Sequence, residues 1–254
     1  MDQKGPCAAM DSTQLICLSQ QLAAYASMDA IANNLANMST AGFKRETPQF
    51  QEYVEQVQAG EGQTGTQTVS YVQETGMLRD LTEGHIETTN APFDCAINGN
   101  GYFVVQTANG TRYTRNGHFS LDASGQIVTD SGDPVQGEGG NISVSPDDGD
   151  IHIASDGTVS GVKGQIGKIS LVDFADDGAL VKQGESLYST AQSPQSATAA
   201  SIKQGAIESS NVEPVVEMSN MIEVMRAYQA TANLSQSQST LTQQAIDKLA
   251  TIQS

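Results

Sequence analysis

An apolar stripe at helical spacing runs along each end of the chain, and this pair of stripes constrains the fold more than any other feature. Between Thr13 and Met38, apolar residues recur at steps of three and four without a proline. This spacing predicts an amphipathic helix that stops before Gly42, a residue suited to a left-handed backbone. A second stripe starts at Pro214 and predicts a helix of roughly 38 residues, about 57 Å long. Because an exposed stripe promotes aggregation, we expect both helices to pack together or against neighbouring molecules.

The chain between the stripes has the pattern of strands and tight turns. Runs rich in β-forming residues, such as Gly101 to Thr107 and Lys168 to Phe174, are bounded by turn pairs such as Asn109-Gly110. These runs predict an antiparallel β domain, with a hairpin turn at Asn98 to Gly101. Two low-complexity segments, Ala59 to Thr68 and Thr190 to Ser201, have too little apolar content to fold alone, so we expect them to be connectors.

The predicted fold class is therefore α+β, with a long helix at each end of a central antiparallel β domain and an extended linker on either side of it. We expect an N-terminal helical segment over 1–46, an extended linker over 47–84, the β domain over 85–190, a return linker over 191–213 and the C-terminal helix over 214–254. An aromatic content of 5% without tryptophan predicts a thin core built from Ile, Val, Leu and Met.

The charge balance limits the classes of partner. With 29 acidic and 12 basic residues the net charge is -17, and Lys44-Arg45 is the basic pair that stands out, so we expect no nucleic-acid partner. No apolar run reaches the length of about 18 residues that a membrane span needs. The N-terminus lacks a basic segment followed by an apolar one, so we expect neither membrane insertion nor a cleavable signal peptide.

The sequence contains no constellation of residues that suggests catalysis. His85, His118 and His152 are far apart, and the motifs of metalloproteases, serine hydrolases and phosphate-binding loops do not occur. The acidic loop Ser145 to Asp150 misses the ligand spacing of a calcium-binding loop. Three cysteines without a CxxC spacing indicate neither a zinc site nor a disulfide framework. We therefore expect a non-enzymatic protein with no catalytic, cofactor or metal site.

Two terminal motifs resemble a known family. IANNLANMSTAGFKR (Ile31 to Arg45) and SNVEPVVEMSNMIEVMRAYQA (Ser210 to Ala230) look like the signature pair of the bacterial flagellar rod and hook family. The segment from Ala91 to Thr129 is similar to the central part of the rod proteins. Within the family the sequence looks most like a proximal rod subunit, with the distal rod subunit as the alternative. The resemblance leads us to expect no counterpart of the opening MDQKGPCAA, so the sequence leaves Met1 and Met10 as alternatives for the natural start.

The resemblance implies a structural building block of a helical tube that transmits torque for swimming motility. In this family the terminal helices pack as a coiled coil in an inner tube, and the β domain lies outside. The implied partners are copies of the same chain, other proximal and distal rod proteins, and the flagellar type III export apparatus. The implied location is the basal-body rod that crosses the periplasm, reached without a cleavable signal.

The residues expected at the assembly interface lie on the two terminal motifs, and an intramolecular core is an equal alternative for each of the apolar ones. We expect the amides of Asn33 and Asn37, four residues apart on one helix face, to hydrogen-bond to adjacent helices and fix their register. The candidate interface residues are Leu22, Met28, Ile31, Asn33, Asn34, Leu35, Asn37, Met38, Gly42, Phe43, Asn211, Met218, Met221, Met225, Tyr228, Leu234 and Leu241.

A secreted β-rich adhesin or binding module, oligomerised by its helices, is the alternative from a different functional class. A module that binds carbohydrate would carry aromatic side chains exposed on its β domain for stacking against sugars. The aromatic residues of that domain are Phe93, Tyr102, Phe103, Tyr113, Phe119 and Phe174, mostly at strand positions suited to its own core.

Overall fold

The computed structural model describes residues 8–58, 66–184 and 186–252. A long helix lies at each end of the chain, α1 (Ala8–Ala36) with 29 residues and α2 (Pro214–Ile252) with 39. Both predicted helices are confirmed, although α1 ends two residues before Met38 because the chain turns there. Proline is tolerated at the first turn of α2, where its missing N–H has no helical acceptor. None of the helices within these residues combines the length and apolarity needed to cross a bilayer.

The segment between the helices is rich in short strands, as predicted. In chain order they are β1 (Glu46–Gln58), β2 (Thr66–Arg79), β3 (Ile86–Thr88), β4 (Cys95–Asn98), β5 (Tyr102–Thr107), β6 (Gly110–Thr114), β7 (Ser120–Leu121), β8 (Ile127–Val128), β9 (Gln136–Gly137), β10 (Gly140–Asn141), β11 (His152–Ile153), β12 (Thr158–Gly161), β13 (Gly164–Lys168), β14 (Leu171–Asp173), β15 (Val181–Lys182), β16 (Leu187–Ser189), β17 (Gln195–Ser196), β18 (Ser201–Gln204) and β19 (Ala206–Glu208). Short 3-10 turns lie at Pro146–Asp148 and Asp177–Ala179.

The largest sheet has six strands in the order β15-β16-β6-β5-β14-β17, and every neighbouring pair in it is antiparallel. A three-stranded antiparallel sheet contains β11, β12 and β13. Two-stranded sheets pair β1 with β2, β3 with β19, β4 with β18, β7 with β8, and β9 with β10. The antiparallel β domain is therefore confirmed.

Strand β5 is buried on both of its faces. Because successive side chains on a strand point to opposite faces, Phe103 and Val105 join one cluster while Tyr102 and Val104 join another. The first cluster comprises Cys95, Ile97, Phe103, Val105, Phe119, Ile127, Val135, Ile142, Val144, Ile151, Ile153, Val159, Ile169 and Ile202. The second comprises Tyr102, Val104, Tyr113, Phe174, Leu180 and Tyr188. Among the described residues methionine contributes to neither cluster, so the predicted core composition was wrong in this respect.

The chain divides into two compact units, each made from separated segments. The helical unit contains Met1–Leu35, Glu46–Leu78 and Glu213–Ser254, and the β-rich unit contains Ala36–Arg45 and Arg79–Val212. In the helical unit β1 pairs with β2, and the rings of Tyr53 and Tyr71 lie 5.0 Å apart between centroids. The β-rich unit holds all the other strands and both apolar clusters.

The two segments predicted as extended linkers contain paired β-strands instead. Most of the 47–84 segment consists of β1 and β2, although its residues 59–65 lie outside the described residues. The 191–213 segment contributes β17, β18 and β19, which pair with β14, β4 and β3. Backbone N–H and C=O groups complete a sheet edge whatever the side chains are, so a segment with few apolar residues can still be a strand.

Two of the turns predicted at Asn-Gly pairs have different outcomes. Asn109-Gly110 closes the β5–β6 hairpin, in which Thr107 lies opposite Gly110. The hairpin predicted at Asn98 to Gly101 is wrong, because β4 pairs with β18 while β5 pairs with β6 and β14. Gly99 has a φ of +99°, and a Cβ there would lie 3.3 Å from the Ala199 carbonyl oxygen. An Asn-Gly pair thus favours a chain reversal without determining which strands pair.

Candidate assembly surfaces

Helix α1 carries four large apolar side chains that the single chain leaves in water. We call Leu15, Leu18, Leu22 and Tyr25 the exposed seam of α1. They follow one another at steps of three and four residues, and Leu22 is 62% exposed. Side chains at these steps lie on one face of a helix, so the exposed seam is a continuous apolar surface.

A second face of α1 is buried or half-buried, and its residues repeat at steps of four and three. This covered seam of α1 comprises Cys17, Gln21, Ala24, Met28, Ile31 and Leu35. The predicted stripe therefore divides between two faces. Two successive three-residue steps, from Tyr25 to Met28 and on to Ile31, each stop about 60° short of a full turn and move the stripe around the helix. Of the predicted residues, Leu22 lies on the exposed seam and Met28, Ile31 and Leu35 on the covered one. Met38, which is exposed, lies beyond the helix end.

Helix α2 also leaves most of its large apolar side chains exposed. Met218, Ile222 and Met225 lie at steps of four and three and are each at least half exposed. Met221 is half-buried, whereas Tyr228, Leu234 and Leu241 are exposed. The more covered face of α2 becomes polar along its length, because it continues through Thr231, Ser235, Gln238 and Thr242. Most of the apolar surface of α2 is therefore available to partners.

The three asparagines near the end of α1 have different environments. Asn34 is buried, its Nδ2 donates to the Glu46 carbonyl at 2.8 Å, and the Glu46 N–H donates to its Oδ1 at 2.9 Å. This pair of bonds, inside the helical unit, joins the end of α1 to the start of β1. Asn33 is exposed on the last turn of α1. Asn37 lies in the turn after Ala36, where its Oδ1 accepts from the Thr40 hydroxyl at 3.2 Å, so it does not share a helix face with Asn33.

Gly42 and Phe43 anchor the segment after α1 in the β-rich unit. Gly42 has the predicted left-handed backbone with φ at +67°, and a Cβ there would lie 2.5 Å from the Arg115 carbonyl carbon. Its N–H donates to the Glu208 carbonyl at 2.7 Å. Phe43 is buried, and the Lys182 ammonium lies 4.4 Å from its ring centroid. Within the single chain these two residues therefore have an intramolecular packing role.

A buried ion cluster follows directly from this anchor. The Lys44 ammonium donates to Glu208 Oε1 at 2.6 Å, and the Arg115 Nε donates to Glu208 Oε2 at 3.0 Å. Both Lys44 and Glu208 are 1% exposed. The Lys44 ammonium also donates to the Thr82 carbonyl at 2.6 Å, and the Gly84 N–H donates to Glu208 Oε1. One carboxylate thus serves two cations and a backbone N–H in a site with little water.

Burial and neighbouring charges set the direction in which the pKa values of Lys44, Glu208 and Cys95 are shifted. Burial lowers the pKa of the Lys44 ammonium, and the Glu208 carboxylate only partly offsets that effect. Burial by itself would raise the pKa of Glu208, but the attraction of Arg115 together with Lys44 holds it below the ordinary value. Burial also raises the pKa of the Cys95 thiol to about 12, so this cysteine is an inert core residue.

Sequence reasoning missed the cluster, although one signal for it exists. Glu208 ends β19, where the burial alternates so that Ala206 and Glu208 share the buried phase. A carboxylate in the buried phase of a strand requires a cation, because an unpaired buried charge is strongly disfavoured. The cation comes from Lys44, 164 residues away in sequence, so local patterns could not identify it.

Asn211 lies just before α2, still within the β-rich unit. Its Oδ1 accepts from the Arg45 N–H at 2.7 Å, and its Nδ2 donates to the Asp80 carbonyl at 2.9 Å and to the Thr82 carbonyl at 3.1 Å. Like Asn34, it uses both ends of its amide within the chain.

The described residues offer little for catalysis or metal binding. A cleft of about 330 Å³ in the β-rich unit is lined mainly by hydroxyl and amide side chains, and Asp130 is the ionisable residue among its lining. Among all the residues that the structure describes, no three His, Cys, Asp or Glu side chains are grouped closely enough to hold a metal ion. The Ser145 to Asp150 loop caps itself, since the Asp148 carboxylate accepts from the Ser145 N–H. Cys17 and Cys95 are both free, and Cys7 lies outside the described residues.

Comparison with known proteins matches the same segments that form these surfaces. The profile described as "Flagella basal body rod protein" matches residues 17–44, which include the covered seam of α1 and the Gly42 anchor. The "Flagellar hook protein FlgE/F/G D1 domain" matches 96–161, and the "Flagellar basal body rod FlgEFG protein C-terminal" matches 203–248. Over 246 residues the chain is 37% identical to the flagellar basal-body rod protein FlgF of Caulobacter vibrioides, covering 96% of this chain and 100% of that protein.

The chain belongs to the flagellar rod and hook family. FlgF of Mesorhizobium japonicum is 33% identical over 94% of this chain and 98% of its own length. FlgG of Buchnera aphidicola is 37% identical over 80% of this chain and 86% of its own length. Similarity to both kinds of rod protein establishes this rod and hook family, and the longer coverage is to proteins named FlgF.

Proposed function

We propose that the chain is a structural subunit of the flagellar basal-body rod, which assembles with copies of itself and with other rod proteins into a helical drive shaft. The observation that carries the proposal is the exposed apolar surface of α1 and α2 in a chain whose β-rich unit has a closed core of its own. Exposed apolar surface of this extent is typical of chains whose native state is an assembly. In the shaft, α1 and α2 pack as a coiled coil in the inner wall and bury these seams.

The proximal rod is the position we propose, with the distal rod as the alternative. Support comes from the nearly complete coverage of two FlgF proteins, compared with 80% coverage of this chain by FlgG of Buchnera aphidicola. The shaft crosses the periplasm and transmits torque from motor to hook. Its subunits leave the cell through the flagellar type III apparatus without a cleavable signal, and they act without enzymatic activity.

The interface that we propose consists mainly of the exposed residues named above. Leu22, Met218, Met225, Leu234 and Leu241 meet neighbouring helices directly. The exposed Asn33 hydrogen-bonds across such a contact and fixes its register, as a lone polar residue does in a coiled-coil seam. Asn33→Ala should leave the chain folded but impair rod assembly, and normal rods from that variant would contradict this role.

The aromatic residues of the predicted β domain do not supply the open stacking surface that the adhesin alternative needs. Of the six aromatic residues considered for sugar stacking, Tyr102, Phe103, Tyr113, Phe119 and Phe174 are buried, and Phe93 packs against the main cluster. A stacking platform requires aromatic faces open to solvent, so the rod subunit is the better supported function.

Deletion and complementation test the proposal. The gene is deleted in the bacterium that encodes it, and the chain is supplied from a plasmid with an epitope tag in the β-rich unit. We expect the deletion strain to lack flagella, and the plasmid to restore both flagella and swimming. Immunogold labelling of isolated hook–basal bodies should place the tag on the rod end nearest the inner membrane. Flagellated, motile deletion cells would refute the rod function, and label beside the hook would move the chain to the distal rod.

A further inference from the structure

The chain passes between its two units four times. Wherever it enters or leaves the β-rich unit, it does so close in sequence to one group of residues. The passages lie at Leu35–Ala36, Arg45–Glu46, Leu78–Arg79 and Val212–Glu213. The group consists of Asn211, Lys44 and Glu208 with their partners in the segments 42–45, 80–84 and 208–211. All of these residues belong to the β-rich unit.

The Asn211 amide joins three of these segments directly. Asn211 is two residues from the passage into α2. Its Oδ1 accepts from the N–H of Arg45, the last residue before the chain enters β1. Its Nδ2 donates to the carbonyl of Asp80, the first residue after β2. The Asp80 N–H in turn donates to the Arg45 carbonyl at 2.8 Å, so the three segments form a closed set of hydrogen bonds.

The buried ion cluster holds the same three segments a second time. The Lys44 ammonium donates to the Thr82 carbonyl and to the Glu208 carboxylate, both at 2.6 Å. The Gly84 N–H donates to the same carboxylate at 2.9 Å, and the Gly42 N–H donates to the Glu208 carbonyl at 2.7 Å. Charge-assisted bonds in a site with 1% exposure are stronger than bonds in water, and opening the site would leave buried charges unpaired.

We propose that Asn211, Lys44 and Glu208 form a mechanical joint, the point at which torque applied to the helical unit enters the β-rich unit. The joint fixes where each connecting segment leaves the β-rich unit, so a pull on one segment is shared by bonds to the other two. Without it, each segment can move separately and the connection becomes compliant. The joint rests on the proposed rod function, since load passes between the units only in a rotating shaft.

Asn211→Ala is the variant that tests the joint, because it removes all four hydrogen bonds of the amide, to Arg45, Asp80 and Thr82, and leaves the ion cluster in place. In the purified chain we expect the thermal midpoint to fall by only about 5 °C. We expect amide hydrogen exchange at Arg45, whose acceptor is lost, to accelerate by about tenfold. In complemented cells we expect a normal number of flagella, with a swimming speed that falls, relative to wild type, as the medium is made more viscous. An assembly defect alone would lower the number of flagella without this dependence on load.

Two further variants make the result decisive. Asn141→Ala removes two side-chain hydrogen bonds from the β-rich unit, at an exposed residue outside the three joined segments, and should swim like wild type at every viscosity. Asn211→Gln keeps an amide but moves it by one methylene group, so we expect a smaller defect that depends on load in the same way. If Asn211→Ala does not fold, Asn211→Gln decides the question.

The inference fails if the Asn211 variants swim like wild type at every viscosity, or if Asn141→Ala shows the same loss. Failure of the wild-type chain to restore flagella would instead overturn the rod function, and the joint with it. If the wild-type chain restores flagella and the Asn211 variants swim like wild type at every viscosity, only the joint is overturned.

Discussion

The β-rich unit and the helical unit use their apolar residues for different purposes. In the β-rich unit, Phe103, Val105 and Val159 have no exposed surface and belong to the same buried cluster. In the helical unit, Leu15, Leu22 and Leu241 are each more than half exposed. The first unit buries its large apolar side chains in its own core, whereas the second leaves many of its own in water. Apolar content therefore does not reveal whether a segment belongs to a core or to an interface.

The buried cluster of the β-rich unit and the exposed surfaces of the helices also differ in the residue types that they use. The main cluster is dominated by Ile and Val with aromatic rings, which have few rotamers and specify a single packing. The exposed helix surfaces add Leu, Tyr and unbranched methionines such as Met218 and Met225 to β-branched residues such as Ile222. Methionine adapts its shape to different neighbours, which is compatible with the interface role that we propose for α2.

The largest effect on stability is expected inside the β-rich unit. Phe103 is fully buried, with its ring centroid 5.0 Å from that of Phe119. Phe103→Ala should lower the free energy of unfolding by about 3–5 kcal/mol, because it creates a cavity and removes an aromatic pair. Urea denaturation measures this change, with the half-exposed Met218→Ala as the matched control. Comparable losses in both variants would show that the two units do not differ as described.

A slightly smaller loss is expected at the ion cluster. Glu208→Gln leaves Lys44 and Arg115 buried without an anion and should cost about 3 kcal/mol at pH 7. The folded state lowers the pKa of Glu208, so its stabilising contribution is present above the ordinary value of 4.5 and is lost as pH falls through the lower folded value. The difference between wild type and Glu208→Gln should therefore shrink in acid.

Urea titrations at a series of pH values check this prediction. Glu138→Gln is a suitable control, since Glu138 is 62% exposed and its pair with Lys168 should contribute less than about 1 kcal/mol. A difference between wild type and Glu208→Gln that stays constant down to strongly acidic pH would contradict the assigned role of the carboxylate.

A small gain in stability is expected from Asp177→Asn. Burial raises the pKa of the Asp177 carboxyl, assisted by Asp173, and its Oδ1 is buried without a hydrogen-bond partner. A raised folded pKa favours the folded state below the ordinary value of 3.8 and disfavours it once pH has risen through the folded value. At pH 7 the amide should therefore stabilise the chain, by less than about 1 kcal/mol because solvent screens this half-buried group.

Thermal denaturation at pH 7 and at pH 3 separates this effect from a general one. The gain should be present at pH 7 and absent at pH 3. Asp176→Asn is the neighbouring control, since asparagine caps a turn as well as aspartate does and no gain is expected. A loss of stability at pH 7 in Asp177→Asn would show that the ionised carboxylate stabilises the fold.

The smallest effect on the isolated chain is expected at the exposed seams. Met225→Ala and Leu22→Ala should change the free energy of unfolding by no more than about 0.5 kcal/mol, because both side chains are at least half in water. In cells, each should reduce the number of rods, measured by electron microscopy of isolated basal bodies. Val162→Ala, at an 80% exposed site of the β-rich unit, is the control and should assemble normally. Normal rods from the Met225 and Leu22 variants would remove these residues from the interface.

Local sequence patterns were sufficient to predict the helices and the β domain, but not which strands pair or which partners the side chains contact. The two helices, the antiparallel β domain and the left-handed Gly42 follow from spacing and residue type, since each depends on nearby residues. The hairpin predicted at Asn98 does not form, and the 191–213 segment predicted as a linker contains strands. Both differences arise because strand pairing depends on distant segments, as in the pairing of β4 with β18. For the same reason Asn34 and Asn211, both expected at an interface, use their amides inside the single chain.

The sequence by itself determined that this chain has a long helix at each end of a β domain and that it resembles the flagellar rod and hook family. Periodicity and turn chemistry act over a few residues, and a motif is recognisable wherever it lies. Only the tertiary structure decided which helix faces are covered, and only it placed Glu208 between Lys44 and Arg115. The physical reason is that burial and charge pairing depend on residues such as Lys44 and Glu208, which are far apart in the chain and adjacent only after folding.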